Sequence, residues 1–199
     1  MSEGTILITG AAGFIGSHLC QRCLADGHRV IGVDNLLTGR PDNLQPYADH
    51  DRFEFRKHDV AEPLTVDGPV DWVYHLASPA SPPKYQRHSL ACMRANSEGT
   101  WRLLELARRR RAGFVLASTS EVYGDPQHHP QPETYAGHVH TIGPRAVYDE
   151  AKRFSETLVF EFGESHDLPV RIARIFNTYG PRMSPDDGRV VSNFACQAL

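Results

Sequence analysis

The chain has 199 residues, 40% of them hydrophobic and 23% charged, with a formal net charge of -3. That is enough for one core and too little for two, and the charge excludes the broadly basic character of a nucleic-acid binder. No apolar run approaches the roughly 20 residues that span a bilayer, so the composition predicts a cytoplasmic protein with no membrane partner.

The first strand is expected at Ile6 to Ile8, so close to the N-terminus that no secretory leader is expected. It meets three glycines in Gly10-Ala-Ala-Gly13-Phe-Ile-Gly16, and Phe14, Ile15, Leu19 and Leu24 follow at helical spacing. Strand, tight turn and helix in that order form a dinucleotide site: glycine permits the turn, close approach of the backbone to a pyrophosphate, and close packing of helix on strand. The helix N-terminus then offers free N-H groups to the phosphates. A second strand, Arg29-Val-Ile-Gly-Val-Asp34, ends in a carboxylate 18 residues after Gly16, where it can accept hydrogen bonds from an adenosine ribose. A ribose 2'-phosphate would meet that charge, so Asp34 points to NAD over NADP.

Cys20 and Cys23 both fall within the first predicted helix, Cys92 and Cys196 far from them. No second pair of ligands has matching spacing, so core packing is expected and no metal. The turn from Asn35 to Pro41 follows, then a third strand, Phe53 to Asp59, and a fourth, Asp71 to Ala77. Ser78-Pro-Ala-Ser-Pro-Pro83 is expected to be a stiff non-helical loop, because proline removes donors and fixes the backbone. Residues 86–111 have a long helical pattern ending in Arg108-Arg-Arg-Arg111, cations that suit a helix C-terminus, with Gly113 as the expected stop.

Gly113-Phe-Val-Leu-Ala-Ser-Thr119 reads as a fifth strand running into Ser120, Glu121 and Tyr123, polar groups at the carboxyl end of a buried strand. Residues 125–145 are rich in proline and suggest a substrate-covering loop; His128, His129, His138 and His140 within it are expected at the surface. Residues 147–163 return to helical spacing, residues 170–176 form a sixth strand, and a last apolar helix covers residues 190–199. On the first of these helices Tyr148 and Lys152 are four apart, hence on one face, where the ammonium can favour the phenolate.

These motifs, with Asp34-Asn35 and with Thr119 beside Glu121, resemble the extended short-chain dehydrogenase/reductase family, which acts on nucleotide sugars with tightly held NAD. His75-Leu-Ala-Ser-Pro-Ala-Ser-Pro-Pro83, Ser118-Thr-Ser-Glu-Val-Tyr-Gly-Asp125, Ile142-Gly-Pro-Arg145 and Phe176-Asn-Thr-Tyr-Gly-Pro-Arg-Met183 are similar to its branch that decarboxylates UDP-glucuronate. The fold implied is α/β, a Rossmann-type doubly wound parallel sheet. Residues 1–199 would be its NAD-binding domain, with the substrate-binding region starting near 177–199 and a carboxyl-terminal lobe missing.

The resemblance implies catalytic roles for Thr119, Glu121, Tyr148 and Lys152, with no metal. Cofactor contacts are implied for Gly10, Gly13, Phe14, Ile15 and Gly16, then Asp34, Asn35, Leu36, Thr38 and Gly39. Asp59, Val60, Leu76, Ala77 and Ser78 would add to them, as would Ser118, Tyr148, Lys152, Thr178 and Arg182. Substrate contacts are implied for Ser81, Tyr85, Arg94, Glu121, Tyr148 and Asn177. Ser120 stands where sugar 4,6-dehydratases carry an aspartate, which favours decarboxylation of UDP-glucuronate over loss of water. A homodimer is implied through helices at 86–111 and 147–163, with Leu103, Leu106, Leu158 and Phe162 on covered faces. Alternatives are another nucleotide-sugar epimerase or dehydratase, or a homologue that binds NAD without turnover.

Overall fold

The computed structural model describes residues 3–199. Six strands form one parallel sheet: β1 (Thr5–Thr9), β2 (Arg29–Asp34), β3 (Phe53–Lys57), β4 (Trp72–His75), β5 (Gly113–Thr119) and β6 (Val170–Ile175). Their order is β3-β2-β1-β4-β5-β6, so the chain starts in the middle, builds to one edge, then crosses β1 to build the other. The carboxyl ends of β1 and β4 therefore diverge into a crevice, where open sheets of this kind bind ligands.

Helix α1 (Phe14–Ala25) covers one face of the sheet. Its Cys20, Cys23 and Leu24 pack with Ile6, Ile8 and Val30. Burial pushes the Cys20 thiol up to about 12 and the Cys23 thiol up to about 11, so both serve as small core side chains. The opposite face carries α4 (Thr100–Arg110) and α5 (Ala146–His166). Leu103, Leu104 and Leu106 of α4 and Val159 and Phe162 of α5 pack there against Leu7, Val73, Phe114 and Leu116.

The segment between β4 and α4 differs from its expected form. Pro82 and Pro83 open a helix, α2 (Pro82–Arg87), because the first helical turn needs no N-H donors and proline already has a helical φ. The expected long helix is broken at His88 (φ -118°, ψ 45°) and resumes as α3 (Ser89–Arg94), a π-helical turn (Ala95–Gly99) and α4. Asn96 explains the wide turn: its side-chain amide donates to the Cys92 carbonyl at 2.8 Å, while its backbone carbonyl accepts from the hydroxyls of Ser155 and Thr100. Arg111, at φ 56°, ends α4 in the left-handed region, not Gly113. Gly113 instead clears space for Trp72, whose ring would lie 2.4 Å from an added Cβ.

Of residues 125–145, expected as a substrate-covering loop, Arg145 lines the larger cavity described below, and the rest is held against Tyr123 and α5. The Asp125 amide donates to the His138 carbonyl, the His138 amide to the Tyr123 carbonyl, and Arg153 donates to the carbonyls of Val122 and Ala136. His128, His129, His138 and His140 are exposed. Helix α6 (Val190–Ala198) leaves Val191 and Phe194 open to solvent, 47% and 67% exposed, and Leu199 beyond it is also exposed. No helix among the described residues is long and apolar enough to cross a membrane.

Candidate active site and dinucleotide crevice

The glycine loop begins where β1 ends. Gly10 has φ +72°, and a Cβ there would lie 2.7 Å from the Leu76 backbone on β4's exit. A Cβ on Gly16 would lie 2.0 Å from the Gly10 carbonyl oxygen, so only glycine lets α1 start this close to the strand. The expected carboxylate, Asp34, is buried and fixes this loop: Oδ2 accepts from the Ala12 amide at 3.0 Å and Oδ1 from the Leu36 amide at 2.8 Å. Burial raises its pKa above the ordinary value, against those two hydrogen bonds. Each oxygen keeps a further lone pair for a ribose hydroxyl.

Two adjoining cavities run along the carboxyl ends of the strands. The smaller, about 70 Å³, is lined by Asp34, Asn35, Thr38, Gly39, Asp59, Val60, Ala77 and Ser78. Asn35 donates to Asp59 at 3.1 Å, which sets the distance between the loops after β2 and β3. Leu36 was expected here, but it turns at φ 62° and packs into the α1 core, and Leu37 lines the cavity in its place. The left-handed backbone that alternates these neighbours has no marker in the sequence.

The larger cavity, about 580 Å³, shares Gly10, Gly13, Thr38, Leu76 and Ser78 with the smaller one. Phe14, Ile15, Gly16, Ser81, Tyr85, Ser118, Thr119, Glu121, Tyr148, Lys152, Asn177, Thr178 and Arg182 also line it. The fold therefore brings together residues more than 160 positions apart. Ser81 is 2% exposed and its hydroxyl has no partner, an orphaned polar atom on the wall. Unpaired polar atoms, a cradle only glycine allows and a buried acid at the far end together fit a dinucleotide.

Lys152 is buried and donates to the Ala117 carbonyl at 2.8 Å, with its nitrogen 6.0 Å from the Tyr148 ring centre. Burial pushes Lys152 down to about 8, while Cys92 and Glu156 hold it up. Tyr148 departs from expectation: burial drives its phenol well above the ordinary value, and the Thr119 hydrogen bond opposes that only in part. The pair alone does not make Tyr148 a phenolate. Arg189, on the turn before α6, also pulls the phenol down and lines the cavity, a contribution no spacing in the sequence announced.

Thr119 accepts from the Glu121 amide at 3.2 Å, which caps the 3-10 turn Ser120–Tyr123, and Glu121 lines the cavity. Glu121 pairs there with Arg145. Lys84, also unforeseen, lines the cavity and reaches Asp186 at 3.2 Å across its mouth.

Two expected contacts are revised. Arg94 lines neither cavity, because it pairs with Glu98 one turn along its helix at 2.9 Å and with Glu62 at 3.0 Å. Arg182 lines the larger cavity but turns its guanidinium to α1, donating to the Ser17 carbonyl at 3.1 Å and to Gln21.

The sequence profile of the NAD dependent epimerase/dehydratase family matches residues 6–199. This chain belongs to that family. Among its relatives, UDP-glucuronic acid decarboxylase 1 of Xenopus tropicalis is 55% identical over 194 residues, 98% of this chain and 46% of the relative. UDP-glucuronic acid decarboxylase 5 of Arabidopsis thaliana is 54% identical over 199 residues, 100% of this chain and 58% of the relative. A solved UDP-glucose 4-epimerase of Thermotoga maritima with UDP-glucose superposes with a TM-score of 0.81 at 31% identity, covering 96% of this chain and 61% of that one. A UDP-glucuronic acid 4-epimerase of Bacillus cereus in complex with NAD gives 0.76 at 31% identity, covering 92% and 60%. The chain thus spans about half the length of the decarboxylases it matches. In this chain the glycine cradle and the Tyr148 and Lys152 pair line one cavity.

Proposed function

We propose that this chain binds NAD and carries the catalytic half of a UDP-glucuronate decarboxylase, forming UDP-xylose through a 4-keto sugar. The observation that carries the reading is the convergence of Thr119, Glu121, Tyr148 and Lys152 on the cavity that opens from the glycine loop. Identities of 55% and 54% to decarboxylases favour this reaction over epimerisation, and Ser120, in place of an acid, favours it over dehydration.

Bound NAD would supply a hydride acceptor, and later donor, for the sugar C4, together with a positive charge beside the phenol. The loop from Gly10 to Gly16 and the first amides of α1 would hold its pyrophosphate, and Asp34 its adenosine ribose. Once that positive charge and Lys152 draw the phenol to its phenolate, Tyr148 would take the proton from the C4 hydroxyl, with Thr119 also stabilising its oxygen. The resulting C4 ketone lies β to the C6 carboxylate, so carbon dioxide leaves with its bonding electrons passing into an enolate. Glu121 assists the ring as C5 is protonated, and Tyr148 returns its proton to the C4 oxygen when the ketone is reduced. Ser81, Tyr85 and Asn177 line the same cavity and would contact the sugar nucleotide in this reading.

Residues 177–199 begin the substrate-binding region in this reading, and exposed Val191, Phe194 and Leu199 are the surface a further lobe would cover. The buried free thiols Cys20, Cys23 and Cys92 accord with a cytoplasmic site of action. A homodimer is also proposed, through an exposed apolar face that includes Met93, Trp101 and Phe154. Leu103, Leu106 and Phe162, expected on the covered faces of α4 and α5, are buried in the protomer's own core, and Leu158 packs beside them.

The test is to incubate the protein with NAD and UDP-glucuronate and measure UDP-xylose and carbon dioxide, for this chain and for one extended by the remaining length of its relatives. NAD binding by both with turnover mainly in the longer chain is expected. Absence of UDP-xylose from both would refute the decarboxylase reading.

A further inference from the structure

We propose that Glu156, clamped by Arg174, is a positioning residue that holds Ser118 and the Lys152 face of α5 in register with residues 125–145. Glu156 follows Lys152 by one helical turn, as Lys152 follows Tyr148, so the three side chains occupy successive levels of one face. Its carboxylate accepts from the Ser118 hydroxyl at 2.5 Å and from Arg174 through Nε at 3.0 Å and Nη2 at 2.7 Å. The third nitrogen of Arg174 donates to the Tyr123 hydroxyl at 2.9 Å and to the Glu133 carbonyl at 3.0 Å. The guanidinium also lies over the Tyr123 ring, 5.0 Å from its centre.

A forked cation between a carboxylate and a phenol fixes direction as well as distance, because the guanidinium donors are rigidly spaced. The network joins β5, α5, β6, the turn after β5 and residues 125–145. Glu156 does not line the cavity, whereas Ser118 does. Ser118 has one hydroxyl proton and directs it to Glu156, so toward the cavity it presents lone pairs only. It therefore selects a hydrogen-bond donor on the bound molecule, such as a carboxamide N-H or a sugar hydroxyl. Glu156 also supports the charge on Lys152, as does Cys92 from α3, while buried His75 on β4 is neutral and Tyr148 is protonated in the chain without cofactor.

The inference rests on the NAD reading only for one of its two measurements. The first is amide hydrogen exchange in the 199-residue chain, wild type against Glu156→Gln, Arg174→Lys and Ser118→Ala. Glu156→Gln should speed exchange on the order of tenfold at residues 117–121 and 125–145, the scale of one lost charged hydrogen bond, and leave β1 unchanged. Arg174→Lys should do the same to a smaller degree, since an ammonium cannot reproduce the fork. Exchange that is unchanged in those stretches, or raised equally throughout the chain, would overturn the proposal. If Glu156→Gln does not fold, Ser118→Ala decides: faster exchange at 117–121 supports the link and wild-type exchange refutes it.

The second measurement is NAD affinity against pH. Glu156→Gln should weaken it about tenfold and move its alkaline decline to lower pH, because Lys152 then loses a supporting carboxylate. Lower thermal stability with an unchanged affinity profile would reduce Glu156 to a structural role and overturn the proposal. A wild-type chain that fails to bind NAD would refute the cofactor reading, and the exchange result would still decide the positioning role.

Discussion

The rings of Tyr85 and Tyr148 are stacked, with centroids 5.0 Å apart and planes 2° from parallel. Tyr85 is 2% exposed and belongs to α2, so this short proline-led helix orients the phenol on α5. Stacked aromatic pairs contribute about 0.5–1.5 kcal/mol beyond their buried area. Tyr85→Phe should therefore keep near-wild-type stability, whereas Tyr85→Ala should lose about 3–5 kcal/mol in urea unfolding. Equal stability of the two variants would show that the ring contributes little.

Tyr148→Phe keeps the stacked ring and removes the proton acceptor. It should bind NAD about as well as wild type and lose nearly all UDP-xylose formation in the extended chain. Substantial remaining turnover would remove Tyr148 from its role.

Asp34 sets cofactor choice and loop order together. NAD should bind much more tightly than NADP in calorimetric titration, because a 2'-phosphate would approach a buried carboxylate already shared by two amides. Asp34→Ala should relax that preference and destabilise the fold, at about 1–3 kcal/mol for each buried donor left unpaired. Equal affinities in the wild type would count against the assignment.

His75 gives the fold an acid-sensitive element. It is fully enclosed, with Nδ1 2.8 Å from the Thr9 hydroxyl and Nε2 3.2 Å from the Ala95 carbonyl, and burial pushes its pKa down to about 3. Between pH 3 and the ordinary value of 6.5 the unfolded chain binds the extra proton, so stability rises with pH across that window and is lost on acidification. The slope reaches at most about 1.4 kcal/mol per pH unit. Urea unfolding at pH 5 and pH 7 should show a shallower loss in His75→Gln than in wild type; parallel losses would contradict it.

The dimer reading predicts that light scattering at micromolar concentration gives twice the monomer mass. Trp101→Glu combined with Phe154→Glu should return it to the monomer, since both side chains are about half exposed in the single chain. A monomeric wild type would contradict the reading.

Local pattern sufficed for much of this protein. The strands, the glycine loop and the carboxylate at 34 are legible because period, turn chemistry and spacing are properties of neighbouring residues. Buried Cys20 and Cys23 follow from the same helical pattern. The Tyr148 and Lys152 pair is likewise visible as a spacing, but its state is not. Burial raises the phenol and lowers the ammonium, and burial depends on α2, α3 and β5 closing over α5, elements that begin as far back in the sequence as Pro82. Pro82 misleads as a helix breaker because only its place at the start of α2 makes its missing donor harmless. Arg94 carries the right charge for a substrate, yet tertiary packing brings Glu62 to it and satisfies that charge on the surface. The Ser118, Glu156 and Arg174 network shows the same division: Ser118 stands out in the sequence only for the cofactor, and nothing local marks Glu156 or Arg174 as its partners. The parallel crossovers set β5, α5 and β6 side by side, so a hydroxyl, a carboxylate and a guanidinium from separate elements meet through three hydrogen bonds.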